Sequence, residues 1–219
     1  YEICACLVGS EMCIRDRVSW HNHVSGDHYT ISEAWLDRVQ EVLDYAVDDD
    51  MYVILNIHHD TDKEYCYPDK EHLEQSLSYM TFIWEQLADR FGDYDEHVIF
   101  ESINEPRLVE TDHEWWLDMN AAECVEAVEC INEWNQNFVD VVRKTGGNNA
   151  TRYLMVPGYD ASADGVLNDK FVLPTDTAEN EGKILVSVHA YIPYHFALQA
   201  ATENESIDQF NASEKTSTN

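Results

Sequence analysis

Short apolar runs alternate with long amphipathic stretches along this chain. Nearly continuous apolar runs occupy residues 52–57, 98–103, 153–156 and 184–188. Runs of this length are typical of strands that are buried on both faces of a parallel sheet. Apolar residues recur at helical spacing between residues 71 and 91 and between residues 120 and 144. The pattern therefore predicts strand, helix, strand units and an α/β protein.

An earlier helix is predicted from a start signal and the stripe that follows it. Thr30 and Glu33 have the spacing of a capping box, and apolar positions continue at helical spacing as far as Ala46. At the other end of the series, Gly146 and Gly147 would stop the helix that begins near residue 120. Each predicted helix thus has a position between two strands.

Polar residues follow almost every predicted strand, and this favours a closed barrel over an open doubly wound sheet. The strand ends read Trp20-His-Asn-His23, His58-His59-Asp60, Asn104-Glu105-Pro106 and His189-Ala-Tyr191. Such residues would converge on the carboxyl-terminal face of a (β/α)8 TIM barrel. Neither a G-x-G-x-x-G nor a G-K-[ST] pattern, which an open nucleotide-binding sheet would favour, occurs in the sequence.

The strands are too few for a complete barrel, which usually has eight strands in about 250 residues. We expect an incomplete barrel containing about strands 2 to 6, with one strand entering Trp20, in a partial catalytic domain of residues 18–200. Residues 1–17 have a charge-interrupted pattern that does not predict a buried strand, and we interpret them as a foreign segment. The polar residues 201–219 are predicted to be a disordered tail.

The charge of the chain excludes polyanionic partners. The 219 residues include 13 basic and 43 acidic ones, a formal net charge of −30. Proteins that bind nucleic acid or anionic lipid need clustered Lys and Arg, which are absent here. No apolar run approaches the roughly 20 residues of a membrane-spanning helix. The six cysteines lack zinc-site spacing and do not indicate a compartment.

Glu105 is the first candidate for chemistry. Pro106 must end the preceding strand, which would leave the Glu105 carboxyl at the barrel mouth. Burial in a partly apolar pocket would raise the pKa of this carboxyl and suit it to general acid catalysis, although a Glu that only ends a strand fits the same pattern. His58, His59, His189 and Tyr191 also follow strands and are candidate site residues. Aromatic rings near the strand ends could stack on sugar rings: Trp20, Tyr67, Trp115, Trp116 and Tyr194.

A metal site is an alternative interpretation of the histidines. His21, His23, His58 and His59, with Asp60 or Asp160, could form a hydrolytic metal centre. No Lys follows a strand, as such barrels usually require, so we expect no metal.

Three motifs in order resemble glycoside hydrolase family 5, and in particular its bacterial endo-β-1,4-glucanases (cellulases). They are Val53-Ile-Leu-Asn-Ile-His-His59, Glu101-Ser-Ile-Asn-Glu-Pro-Arg107 and Val188-His-Ala-Tyr-Ile-Pro-Tyr194. The resemblance implies a retaining hydrolase in which Glu105 is the acid/base and Asn104 binds the sugar 2-hydroxyl. It also implies that His58, His59, His189 and Tyr191, with Trp20, contribute to substrate binding.

The resemblance carries further expectations about the whole protein. A retaining mechanism needs a second carboxylate about 5 Å from the acid/base. The family has this nucleophile on the seventh strand. We therefore expect the nucleophile to lie beyond residue 219 and this fragment to be inactive alone. Arg15 falls where the family has an Arg, but its neighbours differ, and no role is predicted for it. The expected partner is a β-glucan such as cellulose, mixed-linkage glucan or xyloglucan, and the expected protein is a secreted monomer without cofactors. An inactive carbohydrate-binding barrel is the remaining alternative.

Overall fold

The computed structural model describes residues 13–191, 194–200 and 202. Strands in this part of the chain are β1 (Cys13–Asp16), β2 (Val24–Ser25), β3 (Thr30–Ile31), β4 (Tyr52–Asn56), β5 (Val98–Glu101), β6 (Leu154–Pro157) and β7 (Ile184–Ser187). The α-helices are α1 (Glu33–Asp48), α2 (Leu73–Arg90), α3 (Ala122–Lys144), α4 (Ala163–Leu167) and α5 (Tyr194–Ala197). The four strands predicted from the apolar runs and the three long helices are therefore confirmed to within a few residues.

Five parallel strands form the main sheet in the order β1-β4-β5-β6-β7. This order follows the chain without reversing, whereas a doubly wound sheet reverses its strand order at a switch point. Strands that add in sequence with helices between them are the arrangement of a (β/α) barrel, so the predicted class is the observed one.

The two faces of the sheet differ in burial. Alternate residues such as Val53, Leu55 and Phe100 are fully buried against the helical layer, where Trp84 of α2 and Phe138 of α3 contact each other edge to face. The intervening positions face the inside of the barrel. Because alternation places Asn56 and Glu101 on this inner face as well, polar groups line the upper part of the barrel interior.

Two expectations about the first thirty residues are wrong. Cys13–Asp16 is a strand that pairs in parallel with Tyr52–Leu55, so the end of the segment interpreted as foreign belongs to the sheet, and no strand enters Trp20. Helix α1 begins after Ser32, not Thr30, because Thr30 and Ile31 pair with β2 in a small antiparallel ribbon.

Other expectations about the ends of the chain lie outside the described residues. These are the origin of residues 1–12 and, apart from exposed Thr202, the disorder of residues 201–219. In the part of the chain that the structure describes, no helix combines the length and apolar character needed to cross a bilayer.

Candidate active site

Glu105 and His189 form the centre of the candidate site. His189 Nδ1 lies 2.6 Å from Glu105 Oε1, and both side chains are about five-sixths buried, at 16% and 17% exposure. A carboxylate oxygen accepts, so the imidazole Nδ1–H donates in this pair. The segments after β5 and β7, separated by β6 in the sheet, thus meet at the carboxyl-terminal end of the barrel.

The pKa of Glu105 is lowered, which corrects the expectation of a raised value. Burial raises this pKa, but the hydrogen bond and charge of His189 and the charges of Arg107 and Arg15 lower it by more. An opposite charge and a donor both favour the carboxylate form. In the free protein, therefore, Glu105 is a carboxylate at neutral pH and must gain a proton before it can act as an acid.

Asn104 sits directly beside this pair. Its backbone N–H donates to the carbonyl of Ile57 at 2.9 Å, which ties the end of β5 to the end of β4. The side chain is 4% exposed, and its Oδ1 has no hydrogen-bond partner among the described residues. A buried acceptor without a donor costs free energy, so this amide oxygen is suited to accept a hydrogen bond from a hydroxyl of a ligand.

A second group of polar residues lies on the inner face just below the mouth. Glu101 is fully buried, and its Oε2 accepts from Arg15 Nη2 at 2.5 Å, Arg15 Nε at 3.0 Å and Asn56 Nδ2 at 2.7 Å. His58 Nδ1 is 3.2 Å from Asn56 Oδ1. Because an amide oxygen can only accept, Nδ1 of His58 carries the proton. Strands β1, β4 and β5 are thereby connected through one buried network.

His58 is neutral and His59 is oriented differently. Burial, followed by the charge of Arg15, lowers the pKa of His58 to about 2. His59 is exposed, and burial of part of its ring together with the charge of Arg17 lowers its pKa as well. Their rings are 4.6 Å apart and nearly perpendicular. Tyr191 is exposed at the rim, with its ring centroid 6.4 Å from that of His189.

Trp20 does not belong to the open site. Its side chain is fully buried, and its indole N–H donates to the carbonyl of Asn56 at 3.0 Å, so the ring supports β4 from within the core. Tyr67 is likewise buried, at 4% exposure. The prediction that these two rings stack on sugar is wrong for this conformation. Trp115, Trp116 and Tyr194 are exposed, as a stacking role requires.

The structure does not assemble the alternative metal centre. His21 Nδ1 lies 2.7 Å from Asp60, which also accepts from Tyr79 and the backbone of Trp20, while His23 stacks on Trp35 with centroids 3.8 Å apart. Within the described ranges, only Asp69, Glu71 and His72 bring three potential ligand atoms close together, and none belongs to that set. His21 and His23 are therefore engaged by Asp60 and Trp35, and not by each other or by His58.

Sequence reasoning did not predict the contacts of three residues in or near the site, although Arg15 and Asp160 were named for other reasons. Arg15 and Glu101 form an ion pair inside the barrel, and Asp160 lies in the loop after β6, close enough to Glu105 for the two charges to interact. The position of Arg15 on a strand with alternating faces was a signal that its side chain points inward. Hydropathy does not show this strand, because an inward-facing charge in a barrel interrupts the apolar pattern.

Comparison with known proteins identifies the family. The family model of cellulase (glycosyl hydrolase family 5) matches residues 12–219. This chain therefore belongs to glycosyl hydrolase family 5, and its five parallel strands are part of a (β/α)8 TIM barrel.

A curated relative and two solved structures are similar to this chain over most of its length. Endoglucanase B of Ruminococcus albus is 46% identical over 185 residues, which cover 84% of this chain and 42% of the relative. A family 5 lichenase from Caldicellulosiruptor sp. F32 is 56% identical with a TM-score of 0.87, covering 91% of this chain and 53% of that structure. XEG5A, a xyloglucan-specific endo-β-1,4-glucanase from a metagenomic library solved with cellotriose, is 38% identical with a TM-score of 0.80, covering 93% and 56%. The chain thus spans between 42% and 56% of the length of these relatives.

Proposed function

We propose that the protein containing this chain is an endo-acting β-1,4-glucan hydrolase that works by retaining double displacement, with Glu105 as its acid/base. The observation that carries the proposal is the Glu105–His189 pair, held at 2.6 Å where the segments after β5 and β7 meet at the carboxyl-terminal end of the barrel, beside a buried Asn104 amide oxygen that has no partner among the described residues. Catalytic groups of TIM-barrel enzymes lie at this end.

The proposed chemistry needs Glu105 to alternate between its two protonation states. As an acid it protonates the leaving glycosidic oxygen, and as a base it later activates the water that releases the sugar. His189 stabilises the carboxylate that remains after the first step. Retention also needs a nucleophilic carboxylate about 5 Å from Glu105, and its negative charge would raise the pKa of Glu105 toward the value that an acid requires.

Substrate contacts are proposed on the same face. Asn104 Oδ1 would accept from a sugar hydroxyl, and Tyr191 and the exposed rings of Trp115 and Trp116 would contact the polymer. Arg107 lies 4.0 Å from the centre of the Trp115 ring and holds it at the rim. A β-glucan such as cellulose, mixed-linkage glucan or xyloglucan fits these features. Since such polymers cannot enter cells, we propose that the protein is secreted, and that it acts as a monomer.

The test uses the full-length protein and its Glu105→Gln variant. Gln preserves the shape but cannot donate a proton, so turnover of lichenan, xyloglucan and carboxymethylcellulose should fall by about 100-fold or more. The loss should be smaller on an aryl cellobioside whose leaving group needs no protonation. The matched control is Glu96→Gln, which replaces an exposed carboxylate just before the amino-terminal end of β5 and should leave turnover unchanged.

Three results would contradict the proposal. Equal activity of Glu105→Gln and the control would exclude Glu105 as the acid/base. Retarded migration in a glucan gel without any product from the unmodified protein would favour the carbohydrate-binding alternative. Release of the anomer of opposite configuration, observed by NMR during hydrolysis, would exclude retention.

A further inference from the structure

The loop that follows β6 has an unusual backbone beside the candidate site. Asp160 and Ala161 have φ angles of 54° and 45°, in the left-handed region. Asp tolerates this region through its short polar side chain, but Ala does not favour it. Two such residues in succession persist only where the surrounding structure holds them, and backbone strain of this kind is concentrated at functional sites.

Hydrogen bonds on both sides hold this dipeptide. The N–H of Asp160 donates to the carbonyl of Pro106 at 2.7 Å, and the N–H of His189 donates to the carbonyl of Ala161 at 2.8 Å. Pro106 follows Glu105 directly. The kinked dipeptide therefore joins the segment that carries Glu105 to the residue with which Glu105 is paired.

Packing leaves the loop little freedom. A Cβ placed on Gly158 would come within 2.3 Å of the carbonyl oxygen of Gly165. Tyr159 is fully buried, and its hydroxyl accepts from the N–H of Leu108 at 3.1 Å and donates to the carbonyl of His113 at 2.5 Å. The kink is thus fixed from below by backbone contact and from the side by the loop after β5.

The Asp160 carboxyl lies in an environment that favours its protonated form. Its Oδ1 is buried without a hydrogen-bond partner among the described residues. Burial first, and then the charge of Glu105, raise the pKa of Asp160 to about 7, with Glu114 acting in the same direction and Arg107 and His189 opposing it. The carboxyl therefore gains and loses its proton near neutral pH.

We propose that Asp160 is a positioning residue for the acid/base, which holds Glu105 and His189 together through the backbone and tunes the proton affinity of Glu105 through its carboxyl. This inference rests on the proposed function. When Asp160 ionises, it places a second negative charge near Glu105, and a like charge strengthens proton binding. In the full-length protein, where the charge of the nucleophile raises the pKa of Glu105 toward that of Asp160, the two carboxyls titrate as a coupled pair, and Glu105 keeps its acid form to higher pH than it would without Asp160.

The first experiment compares pH profiles of kcat/KM in the full-length protein. Asp160→Asn removes the charge, keeps the shape and tolerates the left-handed backbone. It should shift the alkaline limb, which reports loss of the acid's proton in the free enzyme, by about half a pH unit or more to lower pH. Asp164→Asn removes an exposed charge four residues later and should leave the limb in place.

The second experiment does not depend on activity. A carboxyl whose pKa is raised in the folded state takes up protons on folding, so it lowers stability as pH rises from the unfolded value near 4 through its folded value. The Tm of Asp160→Asn should therefore increase relative to the Tm of the unmodified protein as the pH is raised from 4.5 to 8. Glu105→Gln should move this transition to lower pH, because the charge acting on Asp160 is gone.

These measurements separate the two hypotheses. An unmodified protein without glucanase activity would refute the proposed function, while the Tm comparison would still test Asp160. An active protein whose Asp160→Asn variant has the same alkaline limb as Asp164→Asn would overturn the tuning role. Tm differences that do not change with pH, together with no effect of Glu105→Gln, would overturn the coupling.

Discussion

Replacing Arg15 by Met removes the cation from the ion pair inside the barrel. Glu101 is completely buried, and Arg15 supplies two of the three hydrogen bonds that its Oε2 accepts, at 2.5 and 3.0 Å. Only the neutral amide of Asn56 would remain, at 2.7 Å. Met fills similar volume without a charge, so the variant tests the electrostatic part of the contact.

The size of the effect follows from what Glu101 can do without its partner. Breaking a buried pair by removing one ion typically costs about 3–5 kcal/mol, because the other charge stays buried. We therefore expect the free energy of unfolding of Arg15→Met to fall by about 3–5 kcal/mol.

Urea unfolding of the full-length protein at neutral pH measures the effect. The double variant Arg15→Met with Glu101→Gln should recover most of the lost stability, since no charge is left unpaired. Arg38→Met is the matched control: Arg38 pairs with Glu41 at 2.6 Å, but both are exposed on α1, so the loss should be much smaller than that of Arg15→Met.

Equal losses for Arg15→Met and Arg38→Met would refute this reasoning about burial. A double variant that is no more stable than Arg15→Met would show that packing, not charge, is responsible. Either result would also mean that the Arg15–Glu101 ion pair does not hold β1 in the barrel.

Two other predictions concern the aromatic and histidine residues. Trp20→Phe should lower the free energy of unfolding and leave glucan affinity unchanged, because the ring is buried and its N–H donates to the backbone carbonyl of Asn56. Trp116 is 77% exposed, so Trp116→Ala should weaken glucan binding in affinity electrophoresis and leave the Tm unchanged. The opposite pattern would return Trp20 to the substrate site. The hydrogen bond to Asp60 raises the pKa of His21, so His21 should stabilise the fold fully below its ordinary value near 6.5 and lose this effect as pH rises through its raised value. The Tm gap between the unmodified protein and His21→Gln should therefore be wider at pH 5.5 than at pH 8.5, and a gap that widens with pH would contradict the assignment.

The long helices and central strands were predictable because their apolar residues recur regularly. The stripes of α2 and α3 and the runs of β4 and β5 reflect burial against one continuous core, which local periodicity records well. Strand β1 was not predictable in this way. Its Arg15 faces a partner, Glu101, that lies 86 residues away in the sequence, and hydropathy cannot represent such a pairing.

The site was predictable only as a set of residue types at strand ends. Glu105 and His189 were identified because polar residues that end parallel strands meet at one face, and the structure brings them together. The sign of the Glu105 pKa shift was not predictable, since it depends on whether burial or the charges of His189, Arg107 and Arg15 dominate. Burial of Trp20 was equally hidden, because an aromatic residue beside a polar motif suits a core and a binding surface alike.

The close contact between Gly158 and Gly165 restricts where the loop after β6 can be enlarged. With a Cβ on either glycine only 2.2–2.3 Å from the backbone oxygen opposite, neither an insertion nor a larger side chain fits there without displacing the Asp160 kink. The exposed stretch that begins at Leu167 and continues past Val172 has no such restriction. Extensions of this loop should therefore be placed after Gly165, where they leave the Asp160 kink and its hydrogen bond to Pro106 in place.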